Sequence, residues 1–149
     1  MIATRVHAIV VGRWRENCYV VSRPDGQALV IDPGDEVDRI TGYLEEQHLE
    51  PSAVLVTHAH HDHVAALPEL LKRFPVPWYL HSGERYTLRF ASLMREAFDG
   101  AGPLTLAEPD GYFDQLGSPM AIGDFLIEVI ETPGHTRGGV SFIIGESFF

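Results

Sequence analysis

Residues 58–63 read His-Ala-His-His-Asp-His, so four of the chain's eight histidines and one aspartate fall within six positions. Imidazole and carboxylate are the side chains that bind borderline divalent cations. A neutral imidazole reaches Zn2+ at about 2.0–2.1 Å, and a carboxylate oxygen at a similar distance. The run follows Ser52–Thr57, a largely apolar stretch that reads as a buried strand. In extended backbone, residues i and i+2 point to one side, so His58 and His60 can converge on a common point. Asp62 and His63 fall where the chain turns into a helix and can address a second point nearby. Two cations about 3.5–4 Å apart would suit two such ligand sets.

The first set needs a third protein ligand. His135 is the best candidate, in Thr132-Pro133-Gly134-His135-Thr136, where a tight turn follows another predicted strand. The expected division is His58, His60 and His135 on one metal, with Asp62 and His63 beginning a second. His61 is the odd member of the cluster and should face away. His7, His48 and His81 read as ordinary solvated or hydrogen-bonded side chains. A structural zinc site would close all four positions, preferably with cysteine, but the chain has only Cys18. Histidine and aspartate ligands with open positions form the catalytic pattern.

These residues need a frame. Val6–Val11, Cys18–Ser22 and Ala28–Ile31 read as strands, the last two joined by the turn signal Arg23-Pro24-Asp25-Gly26-Gln27. Val37, Ile40 and Leu44 recur at helical spacing, with Asp35 as the expected N-cap and Pro51 closing the segment. Val64, Leu67, Leu71 and Phe74 predict one helix over Val64–Phe74, with Pro68 in its first turn. A strand follows at Val76–Leu80. Glu84–Phe98 should then be a helix presenting Phe90, Leu93, Met94 and Ala97 on one face. Residues 99–114 read as a loop, and Phe125–Glu131 and Val140–Ile144 as late strands. This alternation predicts a layered α/β fold built as a single domain over residues 1–149.

Composition narrows the function. The formal net charge is −10, from 11 basic and 21 acidic side chains. No excess of lysine and arginine exists to displace counterions from a phosphate backbone, which argues against a nucleic-acid partner. One cysteine excludes an intrachain disulfide and suits a reducing compartment. The N-terminal apolar patch, Ala8–Val11, is too short for a signal peptide or a membrane span. The expectation is a cytoplasmic protein with no membrane partner.

Thr57-His58-Ala59-His60-His61-Asp62-His63 resembles the Thr-His-x-His-x-Asp-His signature of the metallo-β-lactamase fold superfamily. Asn17-Cys18-Tyr19-Val20-Val21, Ile31-Asp32-Pro33-Gly34 and Glu131-Thr132-Pro133-Gly134-His135-Thr136 resemble its supporting motifs, in the family's order. Compact thioester hydrolases of the glyoxalase II type are the most similar members. The resemblance implies an αββα four-layer sandwich with metal, Zn2+ as one or two ions or else Fe or Mn, at one edge of its two sheets. It implies that a metal-bound hydroxide attacks a thioester or related small acyl substrate. His58, His60 and His135 would bind the first metal. Asp62 and His63 would bind the second, and Asp62 would also orient the nucleophilic water.

The chain departs from the family after Arg137, where Gly138–Phe149 runs GGVSFIIGESFF. Family members continue to a bridging aspartate and a last histidine, and neither is present here. The sandwich is therefore expected to be truncated in its second half. A longer protein, a second chain or swapped segment completing the fold, or a naturally shortened relative would each account for this. The resemblance leaves two alternatives to the hydrolase. One is a mononuclear iron enzyme of the persulfide dioxygenase type. The other is an inactive or partial metal-binding module. Trp14, Arg13 and Arg15 are expected in a hairpin loop bordering the site. Arg137, two residues past His135, could meet an anionic substrate group.

Overall fold

A computed structural model describes residues 3–149. β1 (Arg5–Val11), β2 (Glu16–Ser22) and β3 (Gln27–Ile31) form an antiparallel meander. From β3 the pairing turns parallel, through β4 (Glu50–Leu55), β5 (Trp78–Leu80) and β6 (Gly111–Tyr112). These six strands make one sheet in sequence order. A second, antiparallel sheet has four strands, β7 (Met120–Ile122), β8 (Phe125–Glu131), β9 (Val140–Ile144) and β10 (Ser147–Phe148), in the order β10-β9-β8-β7.

Parallel pairing requires crossovers, which the helices supply. α1 (Val37–Glu46) links β3 to β4. α2 (His61–Val64) and α3 (Leu67–Arg73) link β4 to β5, and α4 (Arg85–Asp99) links β5 to β6. The central strands have two buried faces, and their apolar residues divide between them. Val20, Ala28, Val30 and Val54 pack with Ile40 and Leu44 of α1, Val64 of α2, Leu67 and Leu70 of α3, and Ala91 of α4. The alternate residues Val21, Leu29, Ile31, Ala53 and Leu55 pack against Ile127, Val140, Phe142 and Ile144 of the second sheet and Phe113 of α5 (Phe113–Leu116). Helices on sheet on sheet are thus three layers of the expected sandwich. The far face of the second sheet carries Leu126 and Phe148 exposed, at 59% and 66%, and no helix covers it among the described residues. No helix among the described residues is long and apolar enough to cross a membrane.

Several expected boundaries move. Glu36, not Asp35, caps α1, and its backbone sits in the left-handed region at φ 47°. Asp35 instead accepts the Glu36 N–H at 2.7 Å, a local bond that competes with a helix cap. Pro51 lies within β4 and does not close the preceding segment. The single helix expected over Val64–Phe74 is two, because α2 ends at Val64 and Pro68 can enter only at the start of a new helix. In α4 the buried face runs through Ala91, flanked by Leu88 and Met94, whereas Phe90 and Leu93 are 40% and 58% exposed. The 99–114 loop also contains β6 and the start of α5.

Candidate metal centre

His58 and His60 leave the end of β4 before α2, and His135 lies in the β8–β9 loop of the other sheet. The two segments meet because Val140 N–H donates to Thr57 O at 3.0 Å, joining the sheets at one edge. The rings of His58, His60 and His135 form a near-equilateral triangle, with centroid separations of 4.9, 5.0 and 4.7 Å. One nitrogen from each lies within 4.8 Å of the others.

The hydrogen-bond network assigns their roles. Thr57 N–H donates to Asp32 Oδ1 at 2.7 Å, and Thr57 Oγ1 lies 2.5 Å from Asp32 Oδ2 and 3.0 Å from His58 Nδ1. The hydroxyl donates its one proton to the carboxylate and so must accept from His58 Nδ1–H. That leaves His58 Nε2 with a lone pair, and Nε2 is buried with no hydrogen-bond partner among the described residues. His60 Nδ1 and His135 Nε2 lie 3.1 Å apart. Two nitrogens bound tetrahedrally at zinc distances would be separated by about 3.3 Å, so this spacing suits a shared cation. Burial, and then the neighbouring His63, lowers the His58 pKa to about 4. Burial, followed by His135, lowers that of His60 as well. Neutral rings are the form that ligates a cation. The donor set therefore fits a divalent metal.

The second expected pair stands differently. His63 donates through Nδ1 to Asp32 Oδ2 at 2.9 Å, and its Nε2 lies 3.8 Å from Asp62 Oδ2. Asp32, His58 and His63 also bring one ligand atom each within 4.8 Å. Both oxygens of Asp32 are already engaged, so we read Asp32 as the group that orients His63 and fixes its tautomer. Burial works against a charged His63 ring, but the bond to Asp32, with the charges of Asp32 and Asp62, outweighs it and raises the pKa. Asp62 belongs to neither close grouping of ligand atoms.

Beside them sits Glu16, only 8% exposed, with neither carboxyl oxygen hydrogen-bonded among the described residues and Oε1 3.7 Å from His63 Nδ1. Burial, then the charges of Asp32 and Asp62, pushes its pKa up to about 10. The approach is so close that a Cβ on Gly34 would collide with Asp62 O and Glu16 Oε2, which makes glycine obligatory there. A cleft of about 350 Å3 opens over this acidic side, lined by Trp14, Arg15, Glu16, Asn17, Tyr19, Asp62, His63 and Phe149, among others.

His61 turns away from the trio. It is 6% exposed, stacked on Phe98 at 6.0 Å and edge-on to Trp14 at 6.4 Å. Its Nε2 lies 3.1 Å from Asp99 Oδ2 but outside hydrogen-bond geometry. His81 is a cap, accepting Gly83 N–H at 3.0 Å, and His7 stacks on Tyr43 at 4.0 Å. Arg13 donates to Phe98 O at 3.1 Å, which holds the hairpin tip against α4. Arg137 is exposed.

Sequence reasoning missed Glu16 and Glu84. Glu16 shares the buried side of β2 with Cys18 and Val20, and that period of two was the available signal. Glu84 is completely buried. Its partners lie 25 and 54 residues away, a separation no local pattern encodes.

Comparison with known proteins shows the family. The profile of the metallo-beta-lactamase superfamily matches residues 11–148. The chain belongs to that superfamily. A probable metallo-hydrolase, YqgX, of Bacillus subtilis is 37% identical over 141 residues, spanning 92% of this chain and 64% of the relative. The hydroxyacylglutathione hydrolase GloC of Haemophilus influenzae is 33% identical over 139 residues, spanning 93% and 65%. The chain thus covers just under two thirds of these relatives. Among solved structures, the B3 metallo-beta-lactamase BLEG-1 superposes with a TM-score of 0.86 at 32% identity, over 94% of this chain and 67% of that one. TTHA1623, solved in a di-iron-bound form, gives 0.74 at 32%, over 92% and 66%.

Proposed function

We propose that this protein is a metal-dependent hydrolase acting on a thioester or related small acyl substrate, with His58, His60 and His135 holding its first cation. The observation that carries the reading is the convergence of three imidazole rings, with the buried His58 Nε2 lacking any other partner among the described residues. The identity to a probable metallo-hydrolase and to a hydroxyacylglutathione hydrolase supports the reaction class. A divalent cation in such a site polarises an acyl oxygen and lowers the pKa of a coordinated water toward neutrality.

The chain's own groups divide the remaining work. Asp32 and Thr57 hold the His58 and His63 rings in their ligating tautomers. Asp62 and His63, which line the cleft, would begin a second cation site, and Asp62 would orient a water. Trp14, Tyr19 and Phe149 give the cleft apolar and aromatic walls. Arg15 is the cation at its mouth, suited to an anionic substrate group. A thiolate leaves readily, so a thioester needs little general acid. We place the protein among those acting on small molecules, without a nucleic-acid or membrane partner.

Metal analysis, with hydrolysis of a thioester panel before and after chelation, tests the reading. Stoichiometric zinc or manganese with chelator-sensitive thioester cleavage is expected. The second reading is the mononuclear iron enzyme, and the di-iron form of TTHA1623 supports it only in showing that a similar protein takes iron. Iron together with oxygen consumption on a persulfide would replace the hydrolase by an oxygenase. Stoichiometric metal without turnover on any substrate would leave a metal-binding module.

A further inference from the structure

Glu84 closes a single 3-10 turn, Ser82–Glu84, and stands immediately before α4. It is completely buried, a placement that charged residues almost never take unless paired. Its partners are two backbone N–H groups. Ala59 N–H donates to Oε2 and Gly138 N–H to Oε1, each at 2.8 Å. Ala59 is the residue between His58 and His60. Gly138 lies three residues past His135, in a loop closed by the 2.8 Å bond from Thr132 N–H to Gly139 O. One side chain therefore spans the two segments that carry all three converging rings.

The packing around it has no slack. A Cβ on Gly138 would lie 2.8 Å from both Glu84 N and His81 Nδ1 and 2.9 Å from Gly83 C. Backbone meets backbone here, so the β8–β9 loop is seated directly on the turn that Glu84 ends. The Val140–Thr57 bond ties the same two segments at a second point. Two ties fix both the separation and the relative rotation of the segments, where one would leave a hinge.

We propose that Glu84 is a positioning residue for the first cation, bracing the His58–His60 segment against the His135 loop so that the three nitrogens converge before metal arrives. This rests on the reading of that trio as a metal site. Glutamine at position 84 keeps the size but turns an NH2 toward one of the two donating amides, so one tie becomes a repulsion. Aspartate is one methylene shorter and cannot reach both amides. Outer groups that orient ligands cost about 10–100-fold in metal affinity when removed.

The test titrates Co2+ into the full chain by visible absorption, comparing wild type with Glu84→Gln, Glu84→Asp, His58→Ala and Leu44→Ala. Leu44→Ala empties a buried α1 position remote from the site and serves as a stability control. Folding of each variant is checked by circular dichroism. The expectation is about 10–100-fold weaker Co2+ binding and altered d–d bands for the Glu84 variants, with the wild-type spectrum kept by Leu44→Ala. Wild-type affinity and bands in the Glu84 variants would overturn the bracing role, as would an equal loss in Leu44→Ala. Should Glu84→Gln not fold, Glu84→Asp decides. Amide exchange in the metal-free wild type decides as well, since Ala59 and Gly138 must exchange as slowly as core strands and exchange at loop rates overturns the proposal. Failure of the underlying site reads differently, because His58→Ala would then bind Co2+ as wild type does.

Discussion

At the histidine trio, three rings bring one nitrogen each to a common point, burial lowers the pKa values of His58 and His60, and backbone ties from two sheets hold the geometry. Beside it, Asp62 and His63 share a cleft with Asp32 and Glu16, where negative charge accumulates in partly buried space. His63 is engaged by Asp32, and Glu16 keeps its proton to about 10. Both regions are built around one short loop. They differ in whether a cation completes the arrangement or must compete with existing bonds. A convergent set of imidazole nitrogens suits a metal, whereas a carboxyl-rich set without one must protonate or pair internally.

The largest test of that difference is removal of a converging ring. His58→Ala or His135→Ala should abolish stoichiometric metal binding, whereas Asp62→Ala should leave the first cation bound, as read by atomic absorption after dialysis. Full metal content in both histidine variants would show that the trio is not the site. Next in size is Asp32→Ala. It strips the acceptor from Thr57 N–H and from His63, and should destabilise the metal-free protein by about 2–4 kcal/mol in urea unfolding. A change below 1 kcal/mol would mean that Asp32 is not the anchor joining the two regions.

The acidic side should also announce itself through pH. The native state keeps a proton on Glu16 up to about 10, whereas the unfolded chain releases it near 4.5. Between those values the native state binds more protons, so stability falls as pH rises. The raised His63 adds to the fall above 6.5. His58, lowered from 6.5 to about 4, acts oppositely, adding stability as pH rises across that lower window. The melting temperature of metal-free protein should therefore drop between pH 7 and pH 9, and Glu16→Gln should flatten the drop. Parallel slopes for the two proteins would remove Glu16 from the account. The smallest effect concerns His61. His61→Phe should keep full metal content and lose about 1 kcal/mol or less by thermal melting, because its ring is packing between Trp14 and Phe98. Lost metal would move His61 into the site.

Much of this was legible before folding was considered. The late strands Phe125–Glu131 and Val140–Ile144 match the structure at both ends, because one buried face sets every second residue against the core and marks each strand in the sequence. The pairing of His58 with His60 and the exclusion of His61 follow from the period of an extended segment. The α4 face is only partly legible, because Met94 packs on the core as its spacing predicts, but Phe90 and Leu93 face solvent while Ala91, too small to stand out, is buried. Helical period shows where a stripe exists, but the stripe that packs depends on the surface brought against it.

Residue type and local spacing, then, determined by themselves most of the longer elements and which side chains could hold a cation, since both are short-range properties of the chain. Only the tertiary structure decided that the β8–β9 loop seats on the turn ending at Glu84, that Thr57 passes Asp32's influence to His58, and that Glu16 is buried without a hydrogen bond among the described residues. Each of these depends on groups that are distant in sequence and meet only when two sheets close over a common core, where burial raises the cost of every polar atom left unpaired.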